Sequence, residues 1–159
     1  MGVWLLFIPI TRYSNCFLGG SMAKIIDGLV EYMTAARTVK LPPDVMQKGK
    51  SHLLDSLAAI VSGSTLKPGR LGLQHARAQG GTEECSVLGT SLKTTPILAA
   101  FANGMSGHAD ETDDSNSQLH PGCAIVPAGL AVAESQSRNG HALLPGGILR
   151  YDIGFCFHQ

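Results

Sequence analysis

The segment His108-Ala109-Asp110-Glu111-Thr112-Asp113-Asp114-Ser115-Asn116-Ser117-Gln118-Leu119-His120-Pro121 concentrates the reactive side chains of this sequence. Four of the five residues from Asp110 to Asp114 are carboxylates. They follow an apolar run that reads as a helix reaching at least Ala109. A helix C-terminus carries roughly −0.5 charge, so acids there cost several tenths of a kcal/mol each. No Lys or Arg lies between Lys93 and Arg138 to offset them. Local stability does not select this arrangement, and local misfits of this kind are where function concentrates. If the helix continues, His108, Glu111 and Ser115 fall at i, i+3 and i+7 on one face. His120 stands just before Pro121, which opens the next helix and brings its positive end to bear on a nearby anion. An acid (Glu111), a hydroxyl (Ser115) and an imidazole (His120) then converge where a substrate carboxylate can be held. That suits proton abstraction beside a carboxylate, followed by loss of water or carbon dioxide. His120 is the candidate general acid/base, Glu111 orients it or handles a proton, and Ser115 bonds the substrate. His108, Asp110, Asp113 and Asp114 are further candidate substrate contacts.

Blander readings stand beside this one. An acidic loop is commonly a solvated surface, Asp113 and Asp114 can cap the next turn, and His108 can be a satisfied core histidine. His52, His75, His141 and His158 have no carboxylate context in sequence and read as structural. A calcium loop fails on register: Leu119 stands where glycine is needed and Ile125 where glutamate is needed. HExxH is absent. The expectation is no metal and no cofactor.

The elements that must position these groups read as helices. Ile26, Leu29, Val30 and Met33 recur with helical spacing from Ala23 onward. A second helix opens at Pro43-Asp44, with a stripe of Met46, Gly49, Leu53, Leu57 and Ile60, widened by Leu54 and Val61. Gly63 is the candidate left-handed residue that ends it. Residues 69–79 form a third helix, and Gly80-Gly81 a turn. A short strand or hairpin near 85–92 is the one β signal. Thr95-Pro96 opens a fourth helix rich in small residues, so it is placed at the centre. Pro121 opens a fifth that Asn139-Gly140 ends, and a sixth covers about 141–157. The fold class is all-α, a helical bundle-like partial domain.

The chain has 159 residues, with Lys+Arg and Asp+Glu equal at 12 each. Zero net charge excludes nucleic-acid binding through a general basic field. Charged residues are only 15% and hydrophobic ones 44%, so much surface must be buried in a core or against a partner. Residues 1–22 read as an extension, with an apolar run at 3–10 too short to span a membrane. Residues 23–159 read as one unit. Cys16, Cys85, Cys123 and Cys156 lack CxxC pairing and read as reduced thiols, which points to the cytoplasm.

Taken together, several segments resemble the MmgE/PrpD family, which includes 2-methylcitrate dehydratase and cis-aconitate decarboxylase. They are Leu54-Asp55-Ser56-Leu57-Ala58, Asn103-Gly104, the run from His108 to Ser115, His120-Pro121-Gly122, Val126-Pro127-Ala128, Leu130-Ala131-Val132-Ala133-Glu134 and Tyr151-Asp152-Ile153-Gly154. The resemblance implies a large helical domain joined to a smaller α/β lid, commonly in a homodimer. It implies elimination from a small polycarboxylate such as 2-methylcitrate, in propionate metabolism, without an iron–sulfur cluster. Compartment by resemblance is the cytoplasm, or the mitochondrial matrix in a eukaryote. Matched by motif, the family's active-site Asp, Thr and His fall on Glu111, Ser115 and His120. The chain then reads as an N-terminal portion of the helical domain, inactive alone. The contrasting reading is a non-catalytic helical interaction or dimerisation module.

Overall fold

Prolines set where most of these helices begin. In the computed structural model, which describes residues 22–115 and 119–156, α1 spans Met22–Ala36, α2 Pro43–Gly63 and α3 Lys67–Gln79. A hairpin of β1 (Cys85–Ser86) and β2 (Lys93–Thr94) follows, then α4 (Pro96–Gly107), α5 (Gly122–Ser135) and α6 (Gly140–Cys156). Proline occupies the first turn of α2, α3 and α4, where its missing N–H costs nothing. The fold is all-α with one small antiparallel hairpin, Cys85 facing Thr94 and Ser86 facing Lys93. Most of the expected extension, residues 1–21, lies outside the described residues, as do Asn116, Ser117, Gln118 and His158. Among the described residues, no helix is long and apolar enough to cross a membrane.

Helix α4 is central, packing against α2, α3 and α5. Its glycines permit this. A Cβ at Gly107 would lie 3.2 Å from Ile60 Cγ1, and one at Gly104 would lie 3.1 Å from the Cys123 carbonyl. Ala76, Cys85, Val87, Ala99, Ala102 and Ala131 form one buried cluster around it. Ile60, Val126 and Tyr151 form a second between α2, α5 and α6. Buried Asn103 on α4 holds the hairpin: its Oδ1 accepts from Leu88 N–H at 2.8 Å and its Nδ2 donates to the Ser86 carbonyl at 3.0 Å. Glu134 of α5 grips Ser86 from the other side, through the backbone N–H at 2.8 Å and the hydroxyl at 2.6 Å.

Several local expectations are corrected. Gly63 is the last residue of α2 without a left-handed backbone. It is glycine because a Cβ there would lie 1.9 Å from the Ser106 carbonyl, so it lets α2 meet α4. Leu54 and Val61 are exposed, and α2 turns Val45, Gly49, Ser56, Ala59 and Ile60 inward instead. On α1 the stripe of Ile26, Val30 and Met33 is exposed and Tyr32 is buried, its hydroxyl bonded to Asp152 of α6. Helix α5 stops at Ser135, and Asn139 opens α6 by accepting from Ala142 N–H at 3.3 Å.

Candidate functional site

Helix α4 stops earlier than the sequence suggests, and that decides the geometry of the site. Its last residue is Gly107, and His108 is the cap, with φ −107 and ψ 18. The backbone then turns through Glu111 at a left-handed φ of 56, a conformation that needs special support in a non-glycine residue. The helical register linking His108, Glu111 and Ser115 therefore does not form. Asp110, Glu111 and Ser115 are exposed, and among the described residues the Glu111 and Ser115 side chains make no hydrogen bond. Asp110 accepts from the Thr112 hydroxyl at 2.8 Å.

The turn drives Asp113 inward, where its side chain is 1% exposed. One of its oxygens, Oδ1, meets two imidazoles: His108 Nδ1 at 3.1 Å and His120 Nδ1 at 3.2 Å. The two rings lie 4.9 Å apart, centroid to centroid, and tilted. With each Nδ1–H donating to the carboxylate, both Nε2 atoms carry the lone pair. A carboxylate behind an imidazole fixes its tautomer and stabilises its charged form when it takes a proton. The second oxygen, Oδ2, is buried and has no hydrogen-bond partner among the described residues. The donor atoms of His108, Asp113 and His120 all lie within 4.8 Å of one another, the spacing of a possible divalent-cation site. The two Nδ1–Oδ1 separations are within the range of N–H···O bonds.

Asp114, next in sequence, is used differently. Its Oδ1 accepts from Gly122 N–H at 2.9 Å, at the N-terminus of α5. Its Oδ2 lies 3.4 Å from His52 Nδ1 on α2. Gly122 sits where no side chain fits: a Cβ would lie 2.1 Å from Asp114 Oδ1, 2.6 Å from Ser56 Oγ and 2.9 Å from Tyr151 Oη. The His120-Pro121-Gly122 corner is thus held at one end by Asp113 and at the other by Asp114.

Two neighbouring groups register this crowding. Burial pushes the Cys123 thiol up to about 11, with Asp113 adding to the effect. Its Sγ–H donates to the His120 carbonyl at 3.0 Å. Burial also pushes the Tyr151 phenol well above its ordinary value; Ser56 opposes the shift and Asp114 adds to it. Both groups stay neutral across the physiological range.

Of the residues singled out from sequence, the structure brings together His108, Asp113 and His120, with Asp114 adjoining them. It places Asp110, Glu111 and Ser115 on the solvent side of the same turn. Sequence reasoning missed His52, Ser56 and Tyr151 as members of this neighbourhood. A signal existed: His52 and Ser56 are four apart on α2, on the face that carries Gly49 and Ile60.

Comparisons with known proteins identify the family of the chain. The family model for the MmgE/PrpD N-terminal domain matches residues 27–159. The cis-aconitate decarboxylase-like protein oryM of Aspergillus oryzae is 36% identical over 118 residues, 71% of this chain and 24% of that protein. Human cis-aconitate decarboxylase is 30% identical over 97 residues, 60% of this chain and 20% of that protein. The Aspergillus terreus cis-aconitate decarboxylase is 28% identical over 108 residues, 67% of this chain and 22% of that protein. The chain thus spans between a fifth and a quarter of the length of these relatives. No solved structure matches the chain significantly.

Proposed function

This chain belongs to the MmgE/PrpD family, and on that premise we propose that it supplies the imidazole–carboxylate part of a lyase site. The reaction eliminates carbon dioxide or water from a small polycarboxylate, cis-aconitate and 2-methylcitrate being the two substrates to try first. The observation that supports this reading is the single buried Asp113 oxygen shared by His108 and His120. In dehydration, His120 Nε2 takes the proton from the carbon beside a carboxylate, and the hydroxyl leaves as water after it is protonated. In decarboxylation, the same atom in its protonated form returns a proton to the carbon that loses carbon dioxide. Asp113 serves both directions. It holds the ring, and its charge compensates the imidazolium, so the step avoids reorganising solvent. His108, 44% exposed, faces outward as a second carboxylate contact. Glu111 and Ser115 keep their proposed parts, proton handling and a hydrogen bond to substrate, on the open side of the turn.

A chimera tests this directly. The chain is fused to the part of the A. oryzae relative that lies beyond its matched segment. Carbon dioxide release from cis-aconitate and water loss from 2-methylcitrate are then measured. His120→Ala should lower the rate by at least 10²-fold, the usual contribution of a general acid–base group. Asp113→Asn should lower it with little change in KM. A folded His120→Ala chimera as active as its parent refutes the assignment.

A further inference from the structure

We infer that His52 is a third imidazole of this site, a contact for a substrate carboxylate that helps set specificity, and that Asp114 is its positioning residue; this rests on the polycarboxylate reading above. In sequence the nearest carboxylate to His52 is Asp55, three residues on along α2, and the fold brings a second, Asp114, to its Nδ1. Asp114 Oδ2 lies 3.4 Å from His52 Nδ1, and the Asp114 side chain is only 9% exposed, so the pairing is largely screened from water. The other oxygen of Asp114 is committed to Gly122 N–H, which fixes which way the carboxylate points. His52 Nδ1 thus lies at ion-pair distance from Asp114, and Nε2, across the ring, faces away from it. Among the described residues Nε2 has no protein partner, while the side chain is 34% exposed. At a longer N···O separation, the arrangement is of the kind Asp113 makes with His108 and His120: a buried carboxylate behind the ring and an open nitrogen in front.

The surroundings favour a ligand there. His52 and Tyr151, their rings 5.7 Å apart, line an otherwise apolar cleft between α2, α5 and α6. The walls of that cleft are Leu53, Ile125, Leu143, Leu144 and Ile148. These walls carry no Lys or Arg, although the Arg150 guanidinium stands beside Gly129, with Nη1 3.3 Å from where a Cβ there would lie, so His52 is the imidazole that an approaching carboxylate meets at the lining itself. On binding, the ring takes a proton, Nε2–H donates to the anion, and Asp114 balances the new charge. Asp113 and Asp114 are adjacent in the chain, so the imidazoles beside them, His120 and His52, flank one corner, and a substrate with two carboxylates would engage both.

The test uses the 159-residue chain and long-range ¹H–¹⁵N NMR of its imidazoles, titrated with tricarballylate as a non-reacting tricarboxylate. In the free chain His52 should be the Nδ1–H tautomer. Asp114→Asn should reverse it: the amide oxygen keeps Gly122, so the amide NH₂ faces the ring and Nδ1 must accept. Tricarballylate should shift His52 and His120 along one saturation curve. His52→Gln should weaken binding about tenfold, as loss of one charge-assisted bond does, with the His108 and His120 tautomers unchanged. If His120 saturates while His52 stays still, the inference fails and the proposed function stands. If none of the three imidazoles responds, the reading of the site falls, and this inference with it.

Discussion

The Cys123 thiol can report the buried carboxylate without touching the imidazoles themselves. Cys123 lies in the first turn of α5, and its thiol is pushed up to about 11 by burial first and by Asp113 next. Against an ordinary value of 9.0, that leaves about a hundredfold less thiolate at any pH below both values. Only the thiolate attacks an alkylating agent. The pH–rate profile for iodoacetamide modification, followed peptide by peptide by mass spectrometry, should therefore turn over near 11 in the native chain and at the ordinary value in denaturant. Asp113→Asn removes one cause and leaves the larger one, so its midpoint should fall part of the way. Asp110→Asn, on the exposed side of the turn, should leave the profile in place. The same displacement sets a slope in stability. The folded thiol keeps its proton at a pH where the unfolded thiol has lost it, so the unfolded chain binds fewer protons between 9 and 11. Stability then falls as pH rises through that window. Tyr151, raised above its ordinary value of 10.0, extends the fall further into alkali. A native midpoint at the ordinary value, or identical profiles for wild type and Asp113→Asn, would show that the thiol is not packed against that carboxylate.

Two more substitutions probe how the site is supported. Gly122→Ala places a Cβ 2.1 Å from Asp114 Oδ1 and 2.6 Å from Ser56 Oγ; overpacking of this kind costs about 1–3 kcal/mol, and an unchanged denaturation midpoint would contradict the crowding. Asn103→Leu keeps the bulk but strands the Leu88 N–H and the Ser86 carbonyl; a loss of about 2 kcal/mol is expected, with faster amide exchange at Leu88, and full protection there would mean the hairpin is held by something else.

Helix placement was legible because proline and helical periodicity are local signals. Pro43, Pro68 and Pro96 each sit in a first turn. Which face of a helix is buried was less legible. Leu54 and Ile60 are equally apolar, yet one is 69% exposed and the other 0%. The difference is what lies across from them, and a single helix does not encode that. Gly63 shows the same limit. Its position at the end of α2 suggested a left-handed cap, while its actual reason is the Ser106 carbonyl on another helix. His108, Asp113 and His120 were within reach of sequence reasoning because they share one loop. His52 was not, because 62 residues separate it from Asp114 (114 − 52) and only packing of α2 beside α5 joins them.

The acidic turn also resolves once the two helices are taken together. Four carboxylates after a helix C-terminus oppose the dipole of α4. The fold ends α4 at Gly107 and sends the acids to different fates. Asp110 and Glu111 are left in water, where the interaction is screened. Asp114 reaches forward to the N-terminus of α5, where the same negative charge is favourable and where its oxygen satisfies an N–H that has no partner within the helix. Asp113 alone is buried without a helix terminus or a Lys or Arg to offset it, and a buried carboxylate in that position is costly unless paired. Its partners are two imidazoles that can each take up and release a proton. The charge that local stability cannot account for is therefore the one placed where moving a proton would use it, and its neutralisation by Asp113→Asn should cost less stability than activity.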